Sequence, residues 1–428
     1  MMTFRTIRKT TASEMRPELE LVLRCARARQ DGSNEDRIRA LLGGELDWAE
    51  VLAAAGRHRL LPILYERLTK LDADLKNQNC RNELGEGVRE WGKNSMLLFG
   101  EMLRLQALFE AEQVPVIPYK GPVLAWLAYR NITSRMFSDL DFAVPQRHIP
   151  RVTSLLQAAG YQIQFNHKEV HAGQEGHAPG QYSFFSEGCA VQTEIHTERT
   201  LRYFPRPLNF DEMSSRLITV EIGGRKLLTF SVEDTLVMLS VHGAKHFWER
   251  LLWVVDVAQL TDSRPVDWPL AMKIAADLRS TRVFLLGLYL AGEWLGATVP
   301  QAIFERAQRD RKIRWLAAEV ADQWVTKADQ GTGVLPRAAF RIQSRDGIGQ
   351  GILHMLRLAT IPTETDRRSL WLPGPLAPLY AFARPWRLLR EYGLGLRGRP
   401  KKVQIAEKQD ASKSPPIHST APSRNNNS

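Results

Sequence analysis

The sequence predicts an α+β protein, with helical regions at both ends of a shorter, strand-bearing middle. Three observations predict it. Apolar residues recur at helical spacing from Pro17 to about Lys70, from Val88 to Glu112, and through most of the chain beyond Ser231. In several stretches between residues 114 and 230 the apolar period falls to two, as it does when side chains alternate across a strand. Glycine-marked turns at Glu187-Gly188 and Gly223-Gly224 join strand pairs into hairpins.

The elements follow in chain order. Leu19, Leu21, Val22 and Leu23 open the first helical stretch. Trp48, Val51, Leu52 and Ala55 continue it, as do Leu60, Leu64 and Leu68, with Pro62 starting or kinking a helix. His58 reads as a packed histidine. Trp91, Leu98, Met102, Leu105 and Phe109 form one apolar stripe on a longer helix. Val114 to Tyr119 then reads as a strand with edge-type prolines. Lys120-Gly121 turns the chain, and Pro122 suits the first turn of a helix reaching Tyr129.

Ser138 to Val144 makes the next strand, and Ile149 to Gly160 an amphipathic helix with a glycine C-cap. Tyr161 to Phe165 reads as a short strand, and His167 to Gly180 as a polar loop holding His167, His171 and His177. Gln181–Phe185 with Cys189–Thr197, and then Leu217–Phe230, form the two hairpins. Ser231 and Asp234 make an S-x-x-D capping box. Helices are expected over Leu236–Gln259, Pro269–Arg279, Val283–Leu295, Ala302–Val325 and Gly349–Leu358.

A chain of 428 residues, 44% hydrophobic and 25% charged, has room for two or three domains. The expected division is a helical region over 1–87, a strand-bearing core over 88–230 and a helical domain over 231–360. A Pro-, Arg- and aromatic-rich segment over 361–399 and a polar tail over 400–428, expected to be disordered, complete it. The net charge is +11, but ten Lys or Arg against three Asp or Glu lie between Ala381 and Ser428. The folded part therefore carries no strong nucleic-acid signal. Cys25, Cys80 and Cys189 are widely spaced, which fits a reducing cytoplasm and argues against a zinc site or disulfide framework. The first residues, MMTFRTIRKT, have no apolar core of signal-peptide type, and the most apolar run, Val283 to Ala291, is too short to cross a bilayer.

Chemistry concentrates at Asp139-Leu140-Asp141. Carboxylates at i and i+2 on a strand share a face, while Leu140 and Phe142 point to the other. Like charges so close are best tolerated around a cation, and hard oxygen donors suit Mg²⁺ (or Mn²⁺). Two solvated acids at a strand edge are the plainer alternative. Glu194 and His196 likewise share a strand face. His242 and His246 stand at i and i+4 on a helix, but no HExxH acid lies between them, so a polar helix face lining a cleft is preferred to a metal site.

The order of these pieces carries a resemblance. Lys120-Gly121 with Leu124, then Tyr129, Arg135, Ser138-Asp139-Leu140-Asp141 with Val144, and Gly160-Tyr161 come first. Glu194-Ile195-His196, then His242, His246, Trp248, Leu251, Trp253 and Asp256 follow, with Leu372-Pro373 to Tyr380 and Arg384-Pro385 near the end. This set resembles the polymerase-β-type nucleotidyltransferase superfamily. More closely, it is similar to the nucleotidyltransferase family often associated with bacterial polysaccharide biosynthesis. The likeness spans roughly Trp48 to Tyr392.

The resemblance implies a small mixed-sheet nucleotidyltransferase core and transfer of a nucleoside monophosphate from an NTP to an acceptor hydroxyl. It implies that Asp139 and Asp141 hold the metal ions and that Glu194 completes one shell or draws the hydroxyl proton. Lys120, Gly121 and Ser138 would contact the NTP, and Arg135 would pair with phosphate or with Asp139. His196, His242, Lys245, Arg250 and Asp256 would stand behind the ligands or on the acceptor side. Pro122 replaces the serine usual after the superfamily's glycine, removing both a hydroxyl and an N–H. A metal-dependent glycosyltransferase and a non-catalytic nucleotide-binding or scaffolding relative are the other classes compatible with the pattern. The acceptor and the oligomeric state are not legible in the sequence. Trp371 to Leu396 either packs back on the helical domain or touches an anionic membrane surface.

Overall fold

Helix signals at the N-terminal end produce four short helices: α1 (Pro17–Cys25), α2 (Gly32–Gly43), α3 (Trp48–Arg57) and α4 (Leu61–Lys70). Asp31 caps α2 by accepting the Asn34 N–H, and Asp47 caps α3 by accepting those of Ala49 and Glu50. Pro62 sits in the first turn of α4, where its missing N–H costs nothing. The long helix α5 (Gln78–Ala111) follows. The structure is a computed structural model describing residues 15–71, 78–164, 180–198, 206–325, 334–360, 370, 379 and 382–387. The histidine loop 165–179, nearly all of 361–399 and the whole tail from 400 lie outside the described residues.

The middle of the chain builds a five-stranded mixed sheet: β1 (Ile117–Pro118), β2 (Asp139–Ala143), β3 (Gln162–Ile163), β4 (Gln181–Ser186) and β5 (Val191–His196). Its order is β1-β2-β5-β4-β3. Only β2 and β5 are parallel, in the register Asp141 to Glu194 and Asp139 to Gln192. The helices α6 (Gly121–Tyr129) and α7 (Ile149–Ala158) interrupt the strands. One sheet face is apolar: Leu140, Phe142, Ile195 and Phe184 are at most 1% exposed. Phe142 meets Phe109 of α5 edge-on, with ring centres 5.7 Å apart.

A short helix α8 (Phe210–Ser214) precedes the hairpin of β6 (Ile218–Ile222) and β7 (Arg225–Thr229). Gly223 and Gly224 both take positive φ in its turn, the conformation two-residue hairpins of type I′ require. Ser231 Oγ accepts the Asp234 N–H, as its capping box predicts, and opens α9 (Val232–Lys245).

The continuous helix expected over Leu236–Gln259 is corrected by the structure. It is two helices, α9 and α10 (Leu251–Ser263), separated by a turn in which Phe247 and Trp248 take positive φ. Apolar spacing continues through this break, so periodicity cannot reveal it. The cause is the burial of one side chain. Trp248, fully buried, folds back onto Gly243 and donates its N–H to the Gly243 carbonyl at 2.8 Å. A Cβ on Gly243 would lie 2.5 Å from the Trp248 ring. We expect Gly243→Ala to cost about 1–3 kcal/mol through overpacking, because the obstacle is an enclosed ring with nowhere to move. A denaturant melt checks this; a midpoint equal to wild type would contradict it.

The remaining helices are α11 (Trp268–Asp277), α12 (Thr281–Leu295), α13 (Gln301–Arg309), α14 (Arg311–Val325), α15 (Val334–Gln343) and α16 (Ile348–Thr360). The single helix expected over Ala302–Val325 is likewise divided, because Asp310 ends α13 and caps α14 by accepting the Lys312 N–H at 2.8 Å. Helix α15 was not anticipated from the sequence pattern. Buried apolar side chains form one continuous cluster from Met15 to Phe340. Among the described residues, no helix is long and apolar enough to cross a membrane.

Candidate active site

The site forms where β2 and β5 run side by side. Parallel register places cross-strand partners on the same face, so Asp141 and Glu194 are immediate neighbours and Asp139 lies one repeat away on that face. Asp141 is 6% exposed, and Asp139 and Glu194 are half-buried. Asp141 Oδ1 takes two contacts at 2.9 Å, one from Lys120 Nζ and one from His196 Nε2. His196 Nε2 also lies 3.4 Å from Glu194 Oε2. Gln181 Nε2 donates to that same Glu194 oxygen at 2.8 Å.

The charges are strongly perturbed. Burial works against ionised Asp141, but Lys120 and His196 outweigh it and hold the carboxyl well below the usual range. Asp139 moves the other way. Burial first, then the repulsion of Asp141 and Glu194, raises its affinity for a proton. Burial would release the Lys120 proton, yet Asp141, Tyr119 and Glu194 together raise its hold above the ordinary lysine range.

Lys120 stands at the N-terminus of α6, directly before Gly121. Gly121 has φ +52°, and a Cβ there would meet the Asp139 carbonyl oxygen at 3.2 Å. The glycine thus allows α6 to start tight against the acid-bearing strand.

Donor atoms of Asp141, Glu194 and His196 lie within 4.8 Å of one another, so these three residues could hold a metal ion. Asp139 is outside that close group. Two carboxylates and an imidazole offer a donor set suited to a small divalent cation. His196 Nδ1, however, is buried with no hydrogen-bond partner among the described residues. Metal-binding imidazoles almost always donate their second N–H, so the structure favours the two carboxylates over His196 as ligands.

Arg135 is not placed with Asp139. It makes a bidentate bond to Asp256 of α10 at 2.8 and 2.9 Å, wholly buried, and Tyr129 donates to the same carboxylate at 2.7 Å. Ser138 is exposed at the start of β2. His242 and His246 form an aromatic cluster with Trp253, ring centres 4.8 to 5.5 Å apart, and Arg250 lies over Trp253. Burial lowers the proton affinity of both histidines, and Lys120 adds to the effect. Burial, then Lys120, lower the proton affinity of Lys245 at the C-terminal end of α9, while Glu194 and Asp141 oppose them.

Two contributors carried no sequence signal. Arg59, in the turn between α3 and α4, has positive φ, and its charge acts on Asp139. Gln181, on β4, supports Glu194 across the strand pair. Both act through chain folding rather than a motif.

The profile of a family described as uncharacterised nucleotidyltransferase matches residues 44–296, more than half of the chain. The protein belongs to this nucleotidyltransferase family. Its matched span contains the whole acidic cluster, Lys120-Gly121 and the Arg135–Asp256 pair. Membership places this nucleotidyltransferase among enzymes and implies an NTP substrate. No curated protein matches the chain.

Beside the site, His58 fixes the junction of the N- and C-terminal helices. It is 2% exposed, and its Nδ1 accepts the Leu251 N–H at 3.2 Å. Burial, then Arg57 and Arg250, lower its pKa from 6.5 to about 3. The unfolded chain therefore binds the extra proton, and stability is lost as pH falls from about 6.5 towards 3, by about 1.4 kcal/mol per pH unit for one such group. We expect the melting temperature to fall between pH 7 and pH 5, and His58→Gln to flatten that slope. A slope unchanged by the substitution would count against this assignment.

Proposed function

We propose that the protein is a polymerase-β-type nucleotidyltransferase that uses Mg²⁺ (or Mn²⁺) to move a nucleoside monophosphate from an NTP to an acceptor hydroxyl. The acceptor classes are a small molecule, a sugar derivative or a protein, with polysaccharide biosynthesis as the setting. The observation that carries the reading is the Asp141–Glu194 pair on adjacent parallel strands, beside the Lys120-Gly121 turn.

When bound, divalent cations would supply neutralisation of phosphate charge and stabilisation of the attacking and leaving oxygens. In this reading Asp141 and Glu194 hold the cation, and Asp139 extends the donor face toward the second position. His196 donates to Asp141 and fixes the orientation of its carboxylate. Lys120 neutralises Asp141 before substrate enters and then shares its charge with the triphosphate. Ser138, exposed beside Asp139, supplies a hydroxyl for a phosphate oxygen. Glu194 or Asp139 takes the proton from the acceptor hydroxyl, a role suited to a carboxylate within reach. Arg135 positions the site through Asp256 rather than touching phosphate. His242, Lys245 and Arg250 line the acceptor side.

Incubation with each α-labelled NTP and Mg²⁺ tests the proposal. Pyrophosphate release with label moved to an acceptor fraction supports it. Nucleotide binding without pyrophosphate release, unchanged in Asp141→Asn, would replace it with a non-catalytic binding role. Hydrolysis of a UDP-sugar would favour a glycosyltransferase instead.

A further inference from the structure

Eleven large apolar side chains are strongly exposed among the described residues, and eight of them lie between Ile348 and Trp386. On α16 the inner side is set by packing on α15. A Cβ on Gly351 would lie 2.7 Å from the Ile342 carbonyl oxygen, and His354 is buried with its Nε2 3.1 Å from Arg345. Ile348, Ile352 and Leu356 stand at i, i+4 and i+8 on the other side, with Leu353 beside them, each at least half exposed. A second apolar pair, Phe382 at 77% and Trp386 at 72% exposure, repeats the i, i+4 spacing on the helical stretch 382–387. A helix facing water would carry charge at these positions.

Arginine outnumbers acid in this part of the sequence. From Val334 to Arg399 the sequence has eleven Arg and no Lys against four Asp or Glu. Arg357 is exposed on α16, and Arg384 and Arg387 flank Trp386.

We propose that these two exposed apolar stripes dock on an anionic lipid surface. The apolar stripes enter the boundary between headgroups and acyl chains, and the arginines meet the negative headgroups. Contact is peripheral, since no described helix can cross a bilayer. Two short apolar stripes are individually weak anchors, and the basic excess supplies the second signal that stable attachment needs. The inference stands apart from the chemistry at Asp141.

The full chain should co-sediment with vesicles of phosphatidylcholine mixed with phosphatidylserine, and much less with phosphatidylcholine alone. The double variants Ile352→Glu/Leu356→Glu and Phe382→Glu/Trp386→Glu should each lower binding about tenfold or more while keeping the wild-type circular dichroism spectrum. Arg384→Glu/Arg387→Glu should weaken binding to the anionic vesicles alone. Equal binding by wild type and the apolar variants would overturn the proposal. So would a wild-type dimer in light scattering that the Ile352→Glu/Leu356→Glu variant converts to monomer without any vesicle binding, because the face would then belong to a second copy.

Discussion

Asp141→Asn should lower nucleotidyl transfer by about a hundred- to a thousandfold, the loss expected when a preorganised charge at a reacting centre is removed. Asp141 is the point on which the site converges. Its Oδ1 meets both Lys120 and His196, and its strand neighbour is Glu194. The amide keeps the size and one acceptor oxygen but removes the charge that a divalent cation requires. Stability should fall as well, because Lys120 and His196 favour the ionised carboxyl in the folded chain, while the relief of repulsion against Asp139 offsets part of that loss, so activity is compared on folded protein. Steady-state pyrophosphate release and Mn²⁺ titration, run on the same preparation, check this. Loss of activity with unchanged cation affinity would reassign Asp141 from ligand to positioning residue. Retention of both would remove it from the site.

Asp256→Ala should destabilise the fold by about 3–5 kcal/mol, since breaking a buried pair leaves an uncompensated charge inside. Arg135 and Asp256 are 7% and 0% exposed, and the guanidinium reaches both carboxylate oxygens. Burial alone would weaken the Arg135 hold on its proton, and Asp256 reverses that effect. Burial, followed by the Asp256 charge, also raises the Tyr129 phenol well above its ordinary range, so Tyr129 stays a donor. The three side chains tie α6 and the loop before β2 to α10 and thereby set where β2 begins. Tyr129→Phe should cost less, about 1.5–3 kcal/mol for a hydrogen bond to a charged group. Urea melts of both variants give the comparison. A milder effect for Asp256→Ala than for Tyr129→Phe would show that Arg135 finds another partner.

Much of the fold could be read from local chemistry. The Ser231 box, the Gly223-Gly224 turn and the alternation through β2, β4 and β5 each need only a few neighbouring residues, and each stands where the pattern puts it. The failures share a cause. The break at residues 246–250 lies inside an unbroken apolar rhythm, and it exists because Trp248 needs the space above Gly243. The division at Asp310 depends on its backbone N–H closing α13 while its carboxylate accepts the Lys312 N–H of α14. Arg59 reaches Asp139 from about eighty residues away in the chain, a separation that no spacing rule covers.

For the site, strand periodicity was enough to give Asp139 and Asp141 a common face and Glu194 with His196 another, because the pleat alternates every residue. Which residues then met was settled by folding. Parallel pairing of β2 with β5 joined the two faces into one, put Asp141 against Glu194, and left Asp139 outside the closest group. The partner of Arg135 was decided in the same way, by burial beside the Asp256 carboxylate. Side-chain direction is a local property of the backbone, whereas proximity across a sheet or between helices depends on how distant segments pack.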